Sequence, residues 1–277
     1  MTRERLLCTP AELYERLQTG HCTVLDCRFN LMQPTQGADQ YRDAHIPGAA
    51  YVHLDNELSS PPEPNTGRHP LPSPEQAALM FARKGVSAEV PVVVYDVQDG
   101  SVAARAWWML RWLGHDNVRL LEGGFEGWHS LALPLESGEV SVTAGRFTAT
   151  HVSDWVLDTS SVNTEEGAVL VDARAKARFD GLQEPIDAVA GHIPGAINLP
   201  FEQTIDEHGH FLGEEQLSSL WVDTIGNAEN VTVMCGSGVT ACHLAISALL
   251  AGRPMPRLYA GSWSEWIRDP SRAIARS

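Results

Sequence analysis

The stretch GHIPGAINLPFE, residues 191–202, repeats AHIPGAAYVHLD, residues 44–55, and the shared HIPGA starts at His192 and at His45. Each copy is preceded by an apolar run ending in Asp-x-Arg, TVLDCR at 23–28 and VLVDAR at 169–174. Each is followed by a second apolar run, VPVVVYD ending at Asp96 and VTVMC ending at Cys235. A helical pattern comes next, AARAWWMLRWLGH and ACHLAISALLAGR, and then LLEGGFEGW and LYAGSWSEW. Blocks matched in the same order describe a duplicated domain.

Within each copy, short β-branched runs alternate with helical segments. That alternation predicts an α/β fold, with two tandem domains, each a mostly parallel sheet flanked by helices on both faces. Residues 134–150, PLESGEVSVTAGRFTAT, are small and polar and lack a helical period, which is the pattern of a linker. The expected division is a first domain at 1–135, a linker at 136–149 and a second domain at 150–277. A proline-rich stretch, SSPPEPNTGRHPLPSP at 59–74, is expected as a surface loop. Trp107, Trp108 and Trp112 fall at helical spacing and are expected in packing, as are Trp263 and Trp266.

The 277 residues include 20 Lys and Arg against 35 Asp and Glu, a net charge of −15. Without a basic stripe to track phosphates, nucleic acid is not an expected partner. No stretch approaches the roughly 20 apolar residues of a membrane span, and the start lacks an apolar run of signal-peptide length. The expectation is a cytoplasmic chain with no membrane partner. Its five cysteines are odd in number, far apart and without a CxxC pair, so neither a disulfide framework nor a metal site is expected.

Cys8, Cys22, Cys27 and Cys242 read as small, partly buried thiols. Cys235 has a different setting. In parallel sheets, ligands sit where a strand's carboxyl end meets the next helix, and Cys235 stands there, followed by Gly236, Ser237 and Gly238. These small residues let the chain curl and aim backbone N–H groups at one point. The positive end of the helix starting near Val239 or Thr240 adds to them, and Cys235 is expected to react as a thiolate. A cysteine phosphatase would use a similar loop, but needs an arginine six positions after the cysteine to clamp phosphate, and that position is Ala241. The first copy holds Asp96 in the cysteine slot.

A duplicated domain with Asp-x-Arg, HIPGA and a cysteine loop resembles the rhodanese superfamily of sulfurtransferases over nearly the whole chain. CGSGVTAC at 235–242 is similar to the active-site loop of its 3-mercaptopyruvate sulfurtransferases; thiosulfate-specific members carry basic residues at the second and third loop positions. The resemblance implies an inactive N-terminal copy and an active C-terminal one, which fits Asp96. The first copy is then expected to form one wall over the Cys235 loop.

By the same resemblance, Cys235 takes the outer sulfur of a small anionic donor as a persulfide and passes it to an acceptor, either cyanide or a thiol such as thioredoxin or a low-molecular thiol. No cofactor and no metal are implied. Gly236, Gly238, Val239 and Thr240 are expected to line the donor site, with Ser237 donating to the donor's sulfur or carbonyl. Arg178 is expected to hold its carboxylate. Arg174 occurs in the Asp-x-Arg of both copies' pattern and reads as a structural ion pair. His45 and His192 recur together and read as fold maintenance, with His45 kept as a candidate proton relay. Members that use 3-mercaptopyruvate carry a further arginine just before the second HIPGA. This chain has no basic residue between Arg178 and His192. The favoured donor is 3-mercaptopyruvate, with thiosulfate the alternative; a phosphatase and a catalytically silent binding module are more remote readings.

Overall fold

The computed structural model describes residues 1–150, 153–162 and 167–277. In the first half, strands β1 (Leu7–Cys8), β2 (Thr23–Asp26), β3 (Ala50–Tyr51), β4 (Val92–Tyr95) and β5 (Val118–Leu121) form a parallel sheet in the order β1-β5-β4-β2-β3. In the second half, β6 (Val156–Leu157), β7 (Val169–Asp172), β8 (Ile197–Asn198), β9 (Val231–Met234) and β10 (Arg257–Tyr259) form another, in the order β6-β10-β9-β7-β8. The two orders coincide strand for strand, so the repeat read in the sequence is a repeat of topology. Helices flank each sheet, giving the expected α/β architecture. The strands β4 and β9 are buried at every position, and their valine-rich sequences suit a central parallel strand covered on both faces.

The two repeated motifs prove to be one device used twice. Arg28 lies buried with its Nη2 2.6 Å from Asp26 Oδ2 and 2.7 Å from the Ala44 carbonyl. Arg174 does the same, 2.7 Å from Asp172 Oδ2 and 2.8 Å from the Gly191 carbonyl. The strand-end carboxylate thus orients a guanidinium that ties down the residue before each HIPGA. Inside that motif, His45 Nδ1 donates to the Tyr41 carbonyl at 2.7 Å and His192 Nδ1 to the Phe179 carbonyl at 2.8 Å. Each imidazole also stacks on the ring of the same residue.

Trp107, Trp108 and Trp128 are fully buried in the first half, and Trp221 and Trp263 in the second. Trp112 is nearly so and Trp266 half-buried. Truncating a fully buried tryptophan typically costs about 3–5 kcal/mol. Residues 134–150 carry no helix or extended strand but are laced to their surroundings: Gly138 N–H donates to the Arg42 carbonyl, Gly145 N–H to Ala82 and Thr150 N–H to Leu113. No helix among the described residues is long and apolar enough to cross a membrane.

Two segments change places. One compact unit comprises Met1–Ser59, Pro72–Val152 and Glu207–His210; the other comprises Ser60–Leu71, Ser153–Asp206 and Phe211–Ser277. The proline-rich stretch expected as a surface loop therefore contributes most of its length to the second unit. Gly67 explains how it can: a Cβ there would lie 2.4 Å from the Gly261 carbonyl oxygen, so only glycine allows the two backbones this close.

Candidate active site

Cys235 follows the last residue of β9 and is 2% exposed. The N–H of Gly238 donates to its sulfur at 3.1 Å. Gly238 achieves this at φ +76°, and a Cβ on it would sit 2.4 Å from the Ala260 carbonyl oxygen, so the tight curl requires glycine. Val239 is buried, and Thr240 opens the helix Thr240–Leu250 directly behind the loop. The loop is also held from the segment after β10. Ser262 Oγ accepts the Cys235 N–H at 3.1 Å and donates to the Tyr259 carbonyl at 2.9 Å, while Trp263 and Ser264 N–H groups donate to the carbonyls of Cys235 and Gly236. Ser262 is a non-glycine residue at φ +55°.

The segment Ser60–Leu71 supplies two side chains that sequence reasoning missed. His69 is 4% exposed, and its Nδ1 lies 2.8 Å from Ser237 Oγ. Its neighbour Arg68 places Nη1 2.6 Å from Asp187 Oδ1, and its own N–H donates to Ser264 Oγ. Arg178 places Nη2 2.9 Å from the other oxygen of the same carboxylate. A Cβ built on Gly236 would have Arg68 Nη2 at 3.3 Å and Arg178 Nη1 at 3.6 Å, so both guanidinia border the residue after Cys235.

The absence of a basic residue between Arg178 and His192 thus does not leave Arg178 alone. A second cation arrives from elsewhere in the chain. The signal for it was an arginine and a histidine beside the prolines of a loop whose residues are not repeated in the other copy. His45, the candidate relay, makes its contacts with Tyr41 and Glu136 inside the first unit, and the imidazole against Ser237 is that of His69.

Carboxylates organise the cations. Glu184 accepts Arg178 Nε at 3.0 and 3.1 Å and the backbone N–H groups of Ile186 and Asp187. Burial works to raise Glu184, but the Arg178 hydrogen bond and the Asp187 N–H outweigh it and hold the group below the usual carboxylate range. Arg174 lies with Nη1 3.6 Å from Glu184 and its guanidinium over the Trp263 ring, while remaining bonded to Asp172.

The other cysteines have different surroundings. Burial pushes Cys8 up to about 12 and Cys22 up to about 11, and raises Cys27 well above its ordinary value. In the cysteine slot of the first copy, Asp96 fills its own loop. Its Oδ1 accepts the Gly100 N–H at 2.9 Å, and its Oδ2 accepts those of Val102 and Ala103 at 2.8 and 2.9 Å.

The model of the rhodanese-like domain matches residues 9–131 and again 158–269. A probable 3-mercaptopyruvate sulfurtransferase from Pseudomonas aeruginosa is 45% identical over 97% of this chain and 97% of its own. A putative thiosulfate sulfurtransferase, SseB, from Mycobacterium tuberculosis is 40% identical over 99% and 98%. Among solved structures, SseA from Escherichia coli, described as a 3-mercaptopyruvate sulfotransferase of rhodanese fold, superposes with a TM-score of 0.80 at 32% identity, covering 96% of this chain and 100% of that one.

Proposed function

The chain belongs to the rhodanese-like family, and from that premise we propose that it moves sulfur in two stages through a persulfide on Cys235. Its relatives make it a sulfurtransferase, an enzyme with a sulfur donor and a sulfur acceptor. The route, the residues and the donor are our reading, and the observation that carries it is the convergence of Arg68 and Arg178 beside a cysteine whose sulfur accepts a backbone N–H.

With 3-mercaptopyruvate as donor, the carboxylate lies against Arg68 and Arg178, and the Cys235 thiolate attacks the donor sulfur. An S–S bond forms, the C–S bond breaks, and its electron pair passes to carbon as the enolate of pyruvate, which then takes a proton. Ser237 donates its hydroxyl hydrogen to the carbonyl oxygen on which charge develops, with His69 as its hydrogen-bond partner behind it. In the second stage a thiol or cyanide removes the outer sulfur and returns the Cys235 thiolate. The backbone N–H of Gly238 serves the sulfur in both stages. Gly236, Val239 and Thr240 complete the wall against which the donor rests.

Asp96 makes the first copy inactive: a carboxylate does not carry sulfur, and here it occupies the N–H groups that would serve one. Five free cysteines suit a reducing compartment, and we place the reaction in the cytoplasm, with thioredoxin or a low-molecular thiol as acceptor.

Thiosulfate is the second reading. It is favoured by the missing arginine before the second HIPGA and by the name of the mycobacterial relative. Steady-state transfer from the two donors, side by side with cyanide as acceptor, separates them. The expected result is a higher kcat/KM for 3-mercaptopyruvate and no transfer by Cys235→Ser. Preference for thiosulfate would reverse the donor, and activity retained by Cys235→Ser would overturn the nucleophile.

A further inference from the structure

Arg68 and Arg178 border the Cys235 loop. Arg178 gives Nε to Glu184 and Nη2 to Asp187, while Arg68 gives Nη1 to Asp187 and has its Nε buried without a hydrogen-bond partner among the described residues. The groups left facing Gly236 without a protein partner among the described residues are Arg178 Nη1 and Arg68 Nη2. One oxygen of Asp187 holds each guanidinium, and the Asp187 side chain is only 4% exposed. Its backbone is fixed in turn, since its N–H donates to Glu184 Oε1 at 3.0 Å.

We propose that Asp187 is a specificity-determining positioning residue, which clasps Arg68 and Arg178 so that they present one free N–H edge each and cancels part of their charge, thereby favouring a monoanionic donor over a dianionic one. This rests on the function proposed above. Two free edges side by side match the two oxygens of one carboxylate. The charges of Arg68, Arg178, Glu184 and Asp187 balance, so the site offers directed hydrogen bonds without surplus positive charge. A donor such as 3-mercaptopyruvate, with one carboxylate, needs no more. Thiosulfate brings a second negative charge toward Asp187 and the Cys235 thiolate, and no cation is left over to offset it. Specificity then comes from a repulsive group placed against the competitor as well as from attraction toward the substrate.

The test compares wild type, Asp187→Asn and Asp187→Glu in the full-length protein, with both donors, at low and high salt. Asp187→Asn removes the charge at nearly constant shape, and the kcat/KM ratio of thiosulfate to 3-mercaptopyruvate should rise about tenfold, mainly through a lower KM for thiosulfate, with the gain shrinking as salt screens it. Asp187→Glu keeps the charge while shifting the arginines, so both donors should slow together and the ratio should stay close to wild type. Equal loss for both donors in Asp187→Asn, or an equal ratio change in both variants, would overturn the proposal. If Asp187→Asn does not fold, inhibition of the wild type decides: pyruvate should compete at lower concentration than sulfate, and the reverse order would sink the idea. A wild type silent with both donors would overturn the underlying function instead, and this inference with it.

Discussion

Ser262 carries a backbone angle that most residues avoid. At φ +55° a side chain typically costs about 1 kcal/mol or more relative to glycine, and the first copy holds Gly124 at φ +54° in the equivalent place. The equivalence is shown by bonding: Phe125 N–H donates to the Asp96 carbonyl as Trp263 N–H donates to that of Cys235. What the second copy gains is a hydroxyl that accepts the Cys235 N–H. Ser262→Gly should keep the wild-type stability to within about 1 kcal/mol, because relief of strain offsets a buried N–H left unpaired, yet lower kcat about tenfold. Ser262→Ala should lose the same activity and be about 1 kcal/mol less stable than Ser262→Gly. Urea unfolding with steady-state kinetics checks both, and wild-type kcat in either variant would remove Ser262 from the site. Cys235 was legible in the sequence because its cradle is local, a cysteine followed at once by small residues. Ser262 was not, because neither a dihedral angle nor a bond across 27 residues leaves a mark in composition.

At the scale of elements, the turns after β4 and β9 answer one problem differently. Both end a central buried strand ahead of a helix. After β9 the Gly238 N–H serves a sulfur; after β4 three N–H groups are filled by the Asp96 carboxylate, a built-in anion. Burial, with Asp99 adding to it, raises Asp96 to about 6 even against its three N–H donors. An acid whose folded value lies above its unfolded one contributes stability that is complete below the unfolded pKa and is lost as pH rises through the folded one. Between pH 4 and pH 7 the Asp96→Asn variant should therefore gain stability relative to wild type, by up to about 3 kcal/mol. Chemical unfolding of both proteins across that range measures it, and a constant difference would mean that the N–H donors win. The strand and helix pattern, the repeat and the aspartate in the cysteine slot were all readable, since each depends on residues near one another in sequence. That Asp96 closes its own cradle required the fold of the turn.

For the molecule as a whole, chain order and compact unit do not coincide, and the proposed function depends on that mismatch. The duplication, with the resemblance it carries, leads one to expect the first copy as a wall over the Cys235 loop, but points to no residue in it. In the structure Ser60–Leu71, written in the first copy, belongs to the second unit, where it delivers Arg68 and His69 to the Cys235 loop. Sequence reasoning looked for the second cation within the second repeat and for the relay in a repeated histidine. Neither residue is part of a repeat, so internal similarity had no means of finding them. The attachment rests on the close approach of Gly67 to Gly261 and on the Arg68 N–H bond to Ser264 Oγ. Gly67→Ala would drive its methyl group to within 2.4 Å of the Gly261 oxygen, a contact that forces the segment to move. The expected result is a fall in kcat/KM of roughly a hundredfold, because a displacement of about 1 Å in groups that position a substrate has effects of that size. Cys235 itself would stay intact, so a single-turnover reaction with an activated sulfur donor that lacks a carboxylate should be affected much less. Equal loss with the charged and the uncharged donor would show that the substitution had damaged the cysteine loop, and that Arg68 and His69 do not act on the donor.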